Sequence, residues 1–189
     1  MSVPPLRAAT IGPQLDDVID AIAGASWFAA AGEPLTMSDR DEAARYVQAL
    51  RLGAVRVAAA RDWHDAARVA QDARWSRGWW DSEEQQRQAL MLDAERAYGR
   101  HELMTALSTV MRTAGDLVHG KAALAAARAG VAEPALIRAA AGAASMACHQ
   151  LALAALDAAA QDHPFRLKFR LFAAGRWPLC VIEESLYVL

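Results

Sequence analysis

Two groups of side chains in this sequence have the types and spacing to do chemistry. The first is a polar stripe. Glu95, Tyr98, Glu102, Thr105, Thr109, Arg112, Asp116 and His119 recur at alternating intervals of three and four, which aligns them along one face of an uninterrupted helix. Asp116 and His119 stand three apart, a spacing that lets a carboxylate and an imidazole share a metal ion or a proton. Covered by a neighbouring helix, Glu102, Arg112, Asp116 and His119 would line a polar pocket, and His149, from a separate helix, is the residue expected to join it. Left uncovered, the same stripe is an ordinary solvated face, and His149 is a neutral core histidine. A helix break at Gly99 would detach Glu95 and Tyr98 from the set.

The second group is the run Arg74-Trp75-Ser76-Arg77-Gly78-Trp79-Trp80-Asp81. Tryptophan and arginine dominate the residues that carry binding energy at protein interfaces, and a guanidinium stacks on an indole face. Trp75, Arg77, Trp79 and Trp80 are therefore the candidate interaction surface. The competing expectation is that these indoles plug one end of a helical bundle. Stacking on nucleobases is the least favoured use, because a net charge of −2 lacks the basic density that nucleic acid requires.

Familiar catalytic signatures are absent. The chain has no Walker loop, no Gly-x-Gly-x-x-Gly, no Gly-x-Ser-x-Gly and no His-Glu-x-x-His. It also lacks the paired Glu-x-x-His segments of a di-iron bundle. No catalytic residue, metal ligand or cofactor is assigned on these grounds. Cys148 and Cys180 match no metal-ligand spacing and read as two reduced core thiols of a cytoplasmic protein.

The elements that must position these residues are helical. The chain holds 46 alanines among 189 residues, 18 Arg against 2 Lys, and no Asn, a bias that a GC-rich coding sequence would produce. Alanine is the best helix former, and strand-type residues are scattered, so the expectation is a single all-α domain over residues 1–189, a bundle of about seven or eight helices. Caps and apolar spacing predict helices from about Pro13 to Ala31, from Asp39 to Leu52 with Ser38 as cap, and from Asp62 to about Trp75. Ser76-Arg77-Gly78 reads as a turn, after which Asp81 or Ser82 starts a helical stretch to Arg128, broken at Gly99, Gly115 or Gly120. Pro134 opens a long alanine-rich helix to about Gln161 that should sit at the bundle centre, its thin profile letting neighbours approach closely.

Residues 165–171 alternate in strand fashion but also fit helical spacing, and a short helix is expected there. An extended tail after Leu179, or a small terminal hairpin, is the alternative. The apolar C-terminus must be packed into the core or belong to an interface. Residues 1–14 carry Pro4, Pro5 and Pro13 and lack the apolar run of an export signal. The uncharged stretch Ala139 to Leu156 is mostly alanine and includes His149 and Gln150, so it reads as a core helix, and no membrane or nucleic-acid partner is expected. The functional expectation is a non-catalytic cytoplasmic protein, an adaptor, regulator or immunity-type factor, acting on a protein partner or as a homo-oligomer. The alternative is a helical bundle that binds a small molecule or metal through the polar stripe.

Overall fold

The computed structural model describes residues 11–189, so most of the proline-bearing N-terminal stretch lies outside the described residues. Among these residues seven helices form: α1 (Gly12–Gly24), α2 (Met37–Ala49), α3 (Trp63–Ala70), α4 (Arg77–Tyr98), α5 (Arg100–Arg128), α6 (Pro134–Leu156) and α7 (Pro164–Ala173). Strands β1 (Arg56–Ala59), β2 (Pro178–Ile182) and β3 (Ser185–Val188) make a small sheet in the order β1-β3-β2. The all-α expectation holds, with this sheet as a minor addition at the C-terminal end.

The alanine-rich helix α6 is central. It packs against α1, α4, α5 and α7. Its Ala140, Ala144 and Ala147 have no exposed surface, and α5 answers with Ala114, Ala122 and Ala126, equally buried. By length and composition α6 could cross a membrane, but 61% of its apolar window is buried inside the fold.

Several boundaries differ from the sequence expectation, each for a local reason. The first helix stops at Gly24 rather than Ala31, because Ala25 turns extended at ψ 143° and Trp27 folds back to donate its indole N–H to the Ile22 carbonyl at 2.8 Å. Trp27 and Phe28 then join Trp63, Phe169, Phe172 and Trp177 in an aromatic cluster with ring centroids 5.6–6.1 Å apart. Helix α2 is capped by Thr36 rather than Ser38: the Asp39 amide donates to Thr36 Oγ1 at 3.1 Å and the Thr36 amide donates to the Asp39 carboxylate at 2.8 Å, a reciprocal capping box. Asp62 caps α3 as expected, with the Asp65 amide donating to it at 2.8 Å, but α3 ends at Ala70. The break before α5 falls at Gly99, whose φ of 81° favours glycine. Helix α6 ends at Leu156, short of Gln161.

The segment that alternates in sequence is helical. Phe165, Phe169 and Phe172 of α7 enter the larger core with α1, α5 and α6, whereas Leu167 and Leu171 enter a second core formed by α2, α3, α4 and the sheet. A helix buried on opposite sides carries apolar residues nearly all round, which is why its sequence imitates a strand. Both notions of the tail are partly right: a helix is followed by a hairpin of β2 and β3. Parallel pairing of β1 with β3 completes the sheet, Arg56 opposite Ser185 through Ala59 opposite Val188. The apolar C-terminus belongs to the core. Leu189 is buried and exchanges backbone hydrogen bonds with Trp177 at 2.8 and 2.9 Å.

Gly175 permits the loop after α1 to lie against this tail. A Cβ there would come within 2.7 Å of the Ala30 backbone nitrogen, which donates to the Gly175 carbonyl at 3.2 Å. Arg176, next in sequence, is buried. Its guanidinium donates to the Glu33 and Pro34 carbonyls at 2.8 and 2.9 Å and pairs with Asp39 at 2.9 Å. Burial works to raise the Asp39 pKa, but hydrogen bonds from Thr36 and Arg176 outweigh it and hold the carboxyl below its ordinary value.

The central position of α6 has a direct consequence. Ala144→Leu should overpack the core around α6, where Ala144 has no exposed surface, and cost about 1–3 kcal/mol, while Ala143→Leu, at a half-buried position, should cost less. Thermal melts of the two variants check the ordering.

Candidate functional site

The polar stripe does not become a pocket. Glu102, Arg112, Asp116 and His119 all lie on the exposed side of α5, and none makes an ion pair among the described residues. Thr105, Thr109 and Thr113 donate their hydroxyls to the carbonyl four residues back, at 2.9–3.1 Å, so they turn toward their own helix. The break at Gly99 detaches Glu95 and Tyr98, and the Tyr98 hydroxyl bonds instead to Gln14 and the Leu156 carbonyl. His149 is half-buried on α6 with Arg87 of α4 for a neighbour; burial first and then Arg87 lower its pKa. No group of three or more metal-ligating side chains gathers among the described residues.

The tryptophan run divides by helix geometry. Ser76 caps α4, accepting from the Trp79 amide at 3.2 Å, and its own amide donates to the Val181 carbonyl of β2 at 2.6 Å. The expected turn at Ser76-Arg77-Gly78 is thus the start of the helix, pinned to the sheet. Successive helical residues point about 100° apart, so Trp79 is buried while Trp80 is 50% exposed. Trp75 is 44% exposed where it bridges Ile182 at the sheet edge, and Arg77 is exposed, 3.8 Å from Asp81. Three of the four predicted surface residues are therefore at the surface, and Trp79 is core.

Beneath Trp80 lies a polar cluster that sequence reading missed. Lys168 of α7 donates to both carboxylate oxygens of Glu83, at 2.7 and 2.8 Å, and both side chains are buried. The Tyr46 hydroxyl donates to Glu83 Oε1 at 2.5 Å and accepts from the Trp79 indole at 2.8 Å. The Lys168 ammonium also stands 5.8 Å from the Trp79 ring centroid, within cation–π range. Gln150 of α6 directs its amide nitrogen to Glu83 Oε2 at 3.5 Å. Burial, and then the Glu83 charge, raise the Tyr46 pKa well above its ordinary value, so the phenol stays a donor. The cluster joins α2, α4, α6 and α7. Its sequence signal is a charged residue at a core position: Lys168, one of only two lysines, stands between Phe165 and Phe172 on the apolar side of α7.

Two concavities lie along α4. A small cavity of about 20 Å³ is lined by Trp80, Glu83, Glu84, Arg87, Met146 and Gln150. An open groove of about 700 Å³ runs past Gln48, Arg51, Gln85, Gln86, Asp162 and His163. Arg51 follows α2 at a φ of 58°, a conformation that costs an L-residue roughly 1–2 kcal/mol. His163 caps α7 by accepting the Phe165 amide on Nδ1 at 3.2 Å. Burial, and then Arg166, lower its pKa. The two cysteines are free and buried, and burial pushes their thiols up to about 12 for Cys148 and about 11 for Cys180.

Lys168→Met should cost about 3–5 kcal/mol, because it leaves Glu83 buried and unpaired. Adding Glu83→Leu should recover part of that loss, and denaturant melts of the single and double variants measure the coupling. The capping role of His163 gives a pH prediction. A histidine whose folded pKa is depressed contributes its full stability above the ordinary value of 6.5 and loses it as the pH falls below. Melting temperature should therefore drop as the pH is lowered through that value. His163→Asn, which keeps a capping acceptor, should shrink the drop but not abolish it, since His149 is shifted in the same direction.

No protein-family model matches this chain, and neither does any curated protein or solved structure.

Proposed function

We propose that this chain is a non-catalytic cytoplasmic binding protein, an adaptor, regulator or immunity-type factor, whose protein partner seats on the face around Trp80 and Met146. One observation carries the reading. Trp80 of α4 and Met146 of α6 line the same small cavity and yet remain 50% and 42% exposed. Two large apolar side chains from different helices thus meet at the surface, above a buried ion pair. Tryptophan is the residue most enriched at interface hot spots, and methionine adapts its shape to a partner. The Glu84–Arg87 pair, at 2.6 and 2.8 Å, supplies a polar rim. Trp75 and Arg77, at the start of the same helix, extend the candidate surface.

A second reading, a small polar ligand held in the groove beside Arg51 and His163, is favoured by the groove's volume, which falls in the range of ligand sites, and by the left-handed backbone that presents the Arg51 side chain there.

A photo-cross-linking amino acid at position 80 tests the contact surface in the cells that make the protein. A discrete adduct from position 80, absent from the exposed control position 112 and lost in a Met146→Ser background, is the expected result. Equal labelling from both positions, or none, would count against it.

A further inference from the structure

Resting on that contact surface, we infer that the cavity between Trp80 and Met146 is a socket for a primary ammonium group on an aliphatic stem, the lysine side chain of a protein partner. The first observation is an orphan. Gln150 is 2% exposed, and its Oε1 has no hydrogen-bond partner. The amide cannot escape by flipping, because its other end faces a carboxylate, which only accepts, and so the nitrogen must point to Glu83. An acceptor is left unpaired in a side chain that lines the cavity, and a buried polar atom without a partner costs about 1–3 kcal/mol. What enters must donate.

The other walls agree on the sign. Glu83, Glu84, Trp80 and Met146 complete the lining with Arg87. Two acidic residues, an aromatic ring and a thioether make a setting that disfavours an anion. Arg87 is the one cation in the lining, and it is already engaged by Glu84 through two hydrogen bonds. Lys168 likewise is spent on Glu83. With both carboxylates matched by these cations, the socket is close to neutral, and the unmatched group is an acceptor beside an aromatic face, a setting that favours a cation.

Size separates the two cationic side chains. About 20 Å³ is room for a single water-sized group. An ammonium head has that size, whereas a planar guanidinium does not. The aliphatic stem would leave between the indole and the thioether, both partly exposed. A second copy of this chain is a poor source. Of its two lysines Lys168 is buried in this same cluster, which leaves only Lys121 of α5.

The test is titration of the intact protein with n-butylammonium chloride at constant ionic strength, followed by the Gln150 side-chain amide and the Trp80 indole N–H in two-dimensional nitrogen–proton NMR spectra. Saturable shifts of both signals are expected. n-Butylguanidinium, butyrate and butanol should bind at least tenfold more weakly. The response of the Gln150 amide should vanish in Trp80→Ala, which removes an exposed wall and should leave the fold intact. Gln150→Met should abolish the response of the Trp80 indole. Absence of a saturable shift, or an equal response to butanol or butyrate, overturns the socket. Cross-linking at position 80 that survives such a failure would leave the contact surface standing with a different anchor. Cross-links between copies that disappear in Lys121→Ala would replace the foreign partner with the chain itself.

Discussion

The ion pair between Glu83 and Lys168 is the constraint on which the arrangement of helices depends. Taking both charges out of water costs several kcal/mol per ion, which Coulomb attraction repays only where the remaining hydrogen-bonding capacity is also met. Here it is nearly met: Lys168 bonds both carboxylate oxygens, Tyr46 bonds one and Gln150 approaches the other. Each partner comes from a different helix, so the pair is satisfied only when α2, α4, α6 and α7 are in register together. A hydrophobic contact between any two of these helices would tolerate sliding. A buried carboxylate that needs donors from three directions does not.

That requirement matters because the central interface is rich in small residues. Alanine fills three of the seven buried positions of α5 and six of the twelve of α6, which leaves fewer knobs to define how far one helix lies along the other. The fold compensates with polar pins at either side of the alanine layer. The Glu83 cluster sets α7 between the two cores, while Arg176 binds the Glu33 and Pro34 carbonyls and Asp39, drawing the loop after α1 against the start of α2. Gly175 allows that loop to come within backbone contact. The composition therefore divides the labour, with alanine supplying proximity and a few charged groups supplying register.

Much of this was legible in the sequence wherever the signal is local. Asp62 as a cap, Pro134 as a helix start and the centrality of the alanine-rich helix all follow from the residues themselves, while the break is confined to Gly99, Gly115 or Gly120, of which only Gly99 takes a positive φ. The misjudged features depend on distant partners. Ser76 looked like part of a turn because its backbone partner, Val181, lies across the chain in β2. Arg56–Ala59, undecided on local pattern between a helix extension and a short extended connection, becomes a strand through parallel pairing with β3. The polar stripe is periodic on paper, but no neighbouring helix covers it, and periodicity alone does not say which face a helix presents to solvent. Glu83 and Lys168 were readable only as charged residues at apolar positions, each without meaning until the other is known.

The adjacency of Trp79 and Trp80 ties the constraint to the proposed contact surface. One turn of α4 carries Trp79, whose indole is bonded to Tyr46, Trp80 at the surface, and Glu83, held by Lys168. With its inner side anchored at two points, this turn can neither rotate about the helix axis nor slide without breaking buried hydrogen bonds. Trp80 is thereby presented from a fixed backbone, and Met146 from a helix that the Gln150 contact joins to the same cluster. Association is costly when backbone and side chains must be ordered on binding, and presenting them already ordered removes part of that cost. An exposed tryptophan on a loose loop would carry the same apolar area with less to gain from it. On the proposed reading, the buried ion pair would contribute to recognition without touching a partner, by fixing the backbone beneath Trp80 before any contact forms.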